Sequence, residues 1–257
     1  EFVMGRINGR FTLADGSAFL TGLLIGMSMP PNLPLFIPAI ASVFAIVVVK
    51  WSFGGLGSNW MNPALAGRVF VYYSWNSQLS TWQAPRTLSL PDGISSASPL
   101  TLIKEGILGP NGNTGNPLSY LESLNYPHSN IDIGVTSWLN DHLLAPLGIH
   151  LPNGYVDPFL GNISGSIGEV SAALLLLGTI YLFSTGIITW EVPFSFFSSF
   201  MILMWIFGGL VFDTGYFSGD ILFYLFTGGL ILAGFYMATD PVSSPHTSIG
   251  LIIYGTG

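Results

Sequence analysis

From residue 166 to residue 238 the chain carries no lysine or arginine, and its acidic residues there are Glu169, Glu191, Asp213 and Asp220. A stretch this long without a cation cannot cover a water-facing surface. It divides into three apolar runs, at about residues 167–190, 193–212 and 221–239, each near the roughly 20 residues a helix needs to cross a bilayer. The rest of the chain has the same character. Half of all residues are hydrophobic and 7% are charged, where a water-soluble domain carries about 25% charged residues. Lipid is the expected solvent, and the expected fold class is an all-α polytopic membrane protein.

The first part of the chain has shorter apolar segments. Residues 38–51 (PAIASVFAIVVVKW) follow a hinge at Pro30, Pro31 and Pro34, and residues 62–75 (NPALAGRVFVYYSW) follow a glycine-rich turn. Ser17 to Met29 is shorter again and ends at a proline pair, so a broken or half-membrane helix is expected there. Residues 20–31 and 226–241 echo each other, each an apolar run that opens on Thr-Gly and ends in proline. Matching proline-interrupted helices point to an inverted-repeat-like bundle with its site at the repeat interface, although glycine-rich helices also resemble one another by chance.

Between the two apolar parts, Pro, Gly, Asn and Ser recur without a long apolar run, and turn signals such as Pro91-Asp92-Gly93 and Pro152-Asn153-Gly154 punctuate the chain. This is one long extramembrane loop. Three units are expected: residues 1–76 in the membrane, 77–165 outside it, and 166–257 in the membrane again. The start has neither an apolar signal core nor an initiator Met, and the end falls inside an apolar run. Both ends are expected to be cuts in a longer chain.

A net charge of −7 with only six basic residues excludes a nucleic-acid partner, because phosphate backbones are held by clustered Lys and Arg. With no cysteine, the chain offers no thiolate for an iron–sulfur cluster, no cysteine nucleophile and no disulfide. A redox centre here must be organic. The four histidines show no metal-ligand spacing. No histidine lies near the serines of residues 95–98 in sequence, and Gly161-Asn-Ile-Ser-Gly165 misses the GxSxG spacing by one residue, so hydrolase chemistry has little support.

Two segments do suggest a site. In Gly54-Gly-Leu-Gly-Ser-Asn-Trp-Met-Asn-Pro63, Asn59 and Asn62 lie three residues apart beside a helix-opening proline. Carboxamides at membrane depth are costly unless paired, so they either bind a polar ring edge or an ion, or cap the helix; capping accounts for one of them more readily than for both. In Asp92-Gly-Ile-Ser-Ser-Ala-Ser-Pro-Leu100, three hydroxyls crowd a turn, and Ser98 before Pro99 reads as a helix cap. Glu169 is expected to favour the positive end of the following helix. Asp213 and Asp220 read as solvated loop charges, whereas Asp240 before Pro241 is better placed for a site.

Taken in order and spacing, Thr21-Gly-Leu-Leu-Ile-Gly26, residues 54–67, residues 92–100, Gly165-Ser-Ile-Gly-Glu169 and Ala238-Thr-Asp-Pro-Val242 resemble the RnfD/NqrB family, which joins a membrane component of the Rnf complex with one of the sodium-translocating NADH:quinone reductase. The resemblance is greater to the Rnf member. It implies a membrane flavoprotein subunit of an ion-translocating oxidoreductase, a translocase. Electrons would pass through a covalent FMN and a noncovalent riboflavin, coupled to Na+ or H+ movement. The implied partners are other subunits of an Rnf-type complex and the lipid bilayer.

The family's FMN is esterified to a threonine in an S-G-A-T-P-like motif. The matching position here is Ser98, with Ser95 and Ala97 in the motif and Ser96 in place of the usual small residue. Asn59 and Asn62 match the family's riboflavin-contacting pair, and Asp240 an acidic position in its TDPV motif. The implied location is the inner membrane. Arg6, Arg10 and Lys50 flank the early helices, whereas the long loop has few cations, which puts that loop outside the cytoplasm. A flavin-free transporter or channel with its site at the repeat interface is the alternative, and a structural scaffold a third.

Overall fold

The computed structural model describes residues 1–9, 12–55, 57–59, 61–83, 85, 98–108 and 116–257, with side chains from 106 to 108 left aside. Among the described residues there are fourteen helices and no strand. They are α1 (Phe2–Ile7), α2 (Ser17–Met27), α3 (Phe36–Phe44), α4 (Pro63–Ser74), α5 (Asn76–Leu79), α6 (Pro99–Leu108), α7 (Pro117–Ser123), α8 (Asn130–Leu139), α9 (Val156–Leu160), α10 (Ala172–Ser184), α11 (Glu191–Phe207), α12 (Ile221–Phe226), α13 (Leu230–Leu232) and α14 (Ser248–Thr256). Wider-wound turns prolong α3 over Ala45–Trp51 and α13 over Ala233–Met237, and a tighter turn prolongs α11 over Gly208–Phe212.

With that prolongation, Glu191–Phe212 is the one helix among the described residues long and apolar enough to cross a bilayer. Two of the three spans expected from hydropathy are not continuous helices. In the run 167–190, the amides of Ile167 and Gly168 donate to the carbonyls of Met29 and Met27 at the end of α2. The helix therefore starts only after Ser171, whose hydroxyl caps it. It ends before Gly186, whose φ of +68° is left-handed. In the run 221–239, α12 and α13 are separated at Thr227–Gly229, where Gly228 has φ +79°. The expected short helix near residue 17 is present, and its 11 residues reach about 16 Å, half a bilayer core.

Two apolar clusters organise the fold. The first joins α2, α3, α4, α10 and α13 through Ile25, Ile37, Ala41, Val71, Ala172 and Leu232. Here α3 and α4 approach so closely that a Cβ on Gly67 would stand 2.8 Å from the carbonyl oxygen of Ala41. The second joins Leu102 and Ile103 of α6, Leu118 and Leu121 of α7, and Tyr126 to Phe212 and Phe223. Helices of the long connecting segment thus stand on residues that follow α11 and open α12. Outward positions of α10 and α11, among them Leu174, Leu177, Ile180, Phe194, Ile202 and Leu203, are exposed and apolar. Such a surface is stable in lipid and not in water.

Candidate functional site

The described candidate residues, Ser98, Asn59, Asn62 and Asp240, line two cavities. The first, about 230 Å³, is lined by Ser98, Thr101, Arg68, Glu169, Trp82 and the stretches 163–166 and 227–229, among others. Ser98 sits where its sequence predicts, at the start of α6: Pro99 opens the helix, and the Ser98 hydroxyl accepts from the Thr101 amide at 3.2 Å. The Thr101 hydroxyl lies 2.8 Å from it. Ser95, Ser96 and Ala97 lie outside the described residues.

Glu169 occupies a different role from the one its sequence position suggests. Because α10 begins only at Ala172, this carboxylate does not serve the helix end. It is 5% exposed and accepts a 2.6 Å bond from Arg68 Nη1 of α4. A lone arginine in the apolar run 62–75 requires a partner, but the two residues are 101 apart in sequence and periodicity cannot join them. Two buried donors of the same wall, Ser166 Oγ and Trp82 Nε1, have no hydrogen-bond partner among the described residues. Hydroxyls, a guanidinium and unsatisfied donors together make a site suited to an oxyanion beside a polar aromatic ring.

The second cavity, about 270 Å³, brings together Asn59, Asn62 and Asp240, with Lys50, Thr21 and Tyr236 in its wall. Asn62 is the helix cap. Its Oδ1 accepts from the amides of Ala64 at 2.9 Å and Leu65 at 3.3 Å, and its Nδ2 donates to the Met237 carbonyl. Asn59 is buried, and its Oδ1 has no partner among the described residues. The two carboxamides therefore differ: one holds the helix, and the other leaves a buried acceptor unsatisfied. Asp240 spends its oxygens on its own turn, accepting from the Val242 amide and the Ser243 hydroxyl.

Lys50 reads in the sequence only as a charge flanking an early helix, yet it is 1% exposed. Its Nζ donates to Glu1 Oε1 at 2.9 Å and to Ser17 Oγ at 2.6 Å. The wider winding of Ala45–Trp51 turns this ammonium inward, a detail of backbone geometry that hydropathy does not encode. Asp213 is exposed, as a loop charge should be. Asp220 is not simply solvated: it caps α12 through the Phe223 amide and accepts from the Tyr155 hydroxyl at 2.7 Å. Burial, with the Asp220 carboxylate beside it, pushes the Tyr155 hydroxyl above its ordinary range.

One histidine joins an acidic pair. His128 Nδ1 lies 3.6 Å from Asp132 Oδ2, with Asp157 adjoining. Asp132 accepts from the Gly154 and Val156 amides, and Asp157 from the Ser129 amide and hydroxyl. These carboxylates organise the connecting segment.

Known proteins resemble the chain along its whole length. The family described as NQR2, RnfD, RnfE matches residues 1–257. The chain is 38% identical, over all of its length and 67% of the relative's, to the D component of the proton-translocating ferredoxin:NAD(+) oxidoreductase complex of Clostridium ljungdahlii. It is 34% identical, over 96% of its length and 61% of the relative's, to the D component of the Na(+)-translocating ferredoxin:NAD(+) oxidoreductase complex of Acetobacterium woodii. Identity to the B component of the Na(+)-translocating NADH-quinone reductase of Klebsiella pneumoniae is 30%, over 92% of the chain and 49% of that protein. The chain thus spans roughly two thirds or less of the length of these relatives.

Proposed function

The chain belongs to the NQR2, RnfD, RnfE family, and on that premise we propose that it is a membrane flavoprotein subunit of an ion-translocating oxidoreductase of the ferredoxin:NAD+ type. Its two cavities would hold FMN on Ser98 and riboflavin beside Asn59, Asn62 and Asp240. Bound flavin supplies one- and two-electron transfer, and the chain's own residues fix its position and surroundings. The partners are other subunits of the same complex. The coupling ion is Na+ or H+, since similar relatives carry either in their names.

The observation that supports this reading is the separation of the described candidate residues into two cavities, each with polar side chains in its wall and a buried group left unsatisfied. In the first, the Ser98 hydroxyl would form the ester, and the cap to Thr101 keeps it at the helix start. In the second, Asn59 Oδ1 would accept from a ring N–H, while Asn62 holds α4 in place. The same reading sets these sites in an inverted-repeat-like core of the inner membrane, with residues 77–165 on the extracytoplasmic side.

The test is the mass of the denatured full-length protein, with in-gel flavin fluorescence and peptide mapping across residues 92–104. An FMN-sized adduct on Ser98 is expected. An unmodified peptide from a cell that has the flavin transferase would overturn covalent attachment. Absence of any flavin, together with solute flux through the purified protein, would favour a transporter instead.

A further inference from the structure

We propose that Arg68 holds the phosphate of the FMN-class ligand in the Ser98 cavity, and that Glu169 keeps its guanidinium aimed there beforehand. The inference rests on the reading of that cavity as a flavin site. Among the described residues, Arg68 is the only basic side chain in the cavity wall. An anion entering a low-charge bundle must meet a positive charge or donors, because an unpaired charge out of water is strongly disfavoured.

Arg68 has donors to spare. The guanidinium has five N–H groups in a planar fork suited to phosphate, and the ion pair to Glu169 is made from Nη1. At 31% exposed, its side chain is more open than the 5% exposed carboxylate that anchors it. The cavity wall supplies further donors. Ser166 is fully buried, lines the cavity, and has no partner for its hydroxyl among the described residues. Ser98, whose hydroxyl would carry the ester, sits at the positive end of the ten-residue α6.

The remaining wall has no space for side chains. A Cβ on Gly229 would stand 2.6 Å from Glu169 Oε1, and one on Gly228 2.8 Å from Leu100 Cδ1. The helix break between α12 and α13, where Gly228 and Gly229 carry no side chain, therefore leaves the guanidinium and its carboxylate unobstructed.

The experiment compares full-length Arg68→Gln, Arg68→Lys and Glu169→Gln with the wild type in a cell that attaches flavin. It reads the fraction of the 92–104 peptide carrying an FMN-sized adduct. Losing a charge-assisted bond to phosphate should lower that fraction at least about tenfold in R68Q. R68K should keep most of it, and E169Q should lose about threefold, less than R68Q, because the guanidinium survives but its anchor is weakened. An R68Q fraction within about twofold of the wild type would overturn the proposal, as would equal loss in E169Q and R68Q, which would mark a structural ion pair.

A second measurement serves if R68Q accumulates poorly. Inorganic phosphate should raise the melting temperature of Ser98→Ala, which cannot carry the FMN ester, beyond the effect of equal ionic strength of chloride, and the rise should shrink in S98A/R68K. No difference between the salts overturns the proposal. A wild-type peptide with no adduct would instead bring down the reading of this cavity as a covalent-flavin site.

Discussion

Asn62 Nδ2 donates to the carbonyl oxygen of Met237 across 3.2 Å, tying the first turn of α4 to the last turn of the segment that prolongs α13. The same side chain caps α4 through its oxygen. Replacing Asn62 by alanine removes three bonds, two of the cap and one to the buried Met237 carbonyl. The expected cost is about 2 kcal/mol of stability. Thermal melting of the detergent-solubilised protein checks this, and an unchanged melting temperature would refute the structural role.

Asn59 should behave in the opposite way. Its buried Oδ1 has no partner among the described residues, so the folded chain already bears the desolvation cost of that atom, about 1–3 kcal/mol. Asn59→Leu is expected to leave melting unchanged or raise it slightly, while noncovalent flavin released on denaturation falls several-fold. If N59L loses stability and retains its flavin, the acceptor role assigned to Asn59 is wrong.

The contrast between these two residues shows what is legible in the sequence and what is not. The Asn-x-x-Asn-Pro pattern announces one cap and one residue left over, because a helix start has a fixed set of orphan amides and Pro63 marks its position. Likewise, Ser98-Pro99 announces its own helix start. The partners of Glu169 and Lys50 are not legible. Their side chains are placed by where α10 begins and by a widened turn after α3, and both follow from packing between distant segments. The two incomplete spans escape hydropathy for a related reason: it counts apolar residues, whereas the breaks come from Gly228 and from amides drawn to α2.

The clip between the stretch ahead of α10 and the end of α2 gives a sharper test. A Cβ at Gly168 would stand 2.5 Å from the Cβ of Met27, a distance neither backbone can absorb while the Gly168 amide bonds Met27 O at 2.7 Å. Gly168→Ala is expected to cost about 1–3 kcal/mol. It should also reduce flavin attachment at Ser98, because the wall carrying Ser166 and Glu169 shifts with it. Gly134→Ala in α8, where a Cβ meets nothing within 4 Å, is the matched control and should melt no lower than the wild type.

Asp132 gives the pH dependence its sign. Burial pushes its carboxyl above the ordinary 3.8. The Gly154 and Val156 amides oppose the shift, Asp157 reinforces it, and His128 opposes it. A carboxyl whose folded pKa is raised holds its proton more tightly in the native state, so stability rises as pH falls through that pKa and is fully gained below the ordinary value of 3.8. In the opposite direction, the gain is lost as pH climbs through the folded pKa, and the contribution is flat above it. The melting temperature of the wild type relative to Asp132→Asn should therefore increase as the pH is lowered from neutral toward about 4. A difference that stays constant, or that moves the other way, would mean that the two backbone donors outweigh burial at this carboxylate.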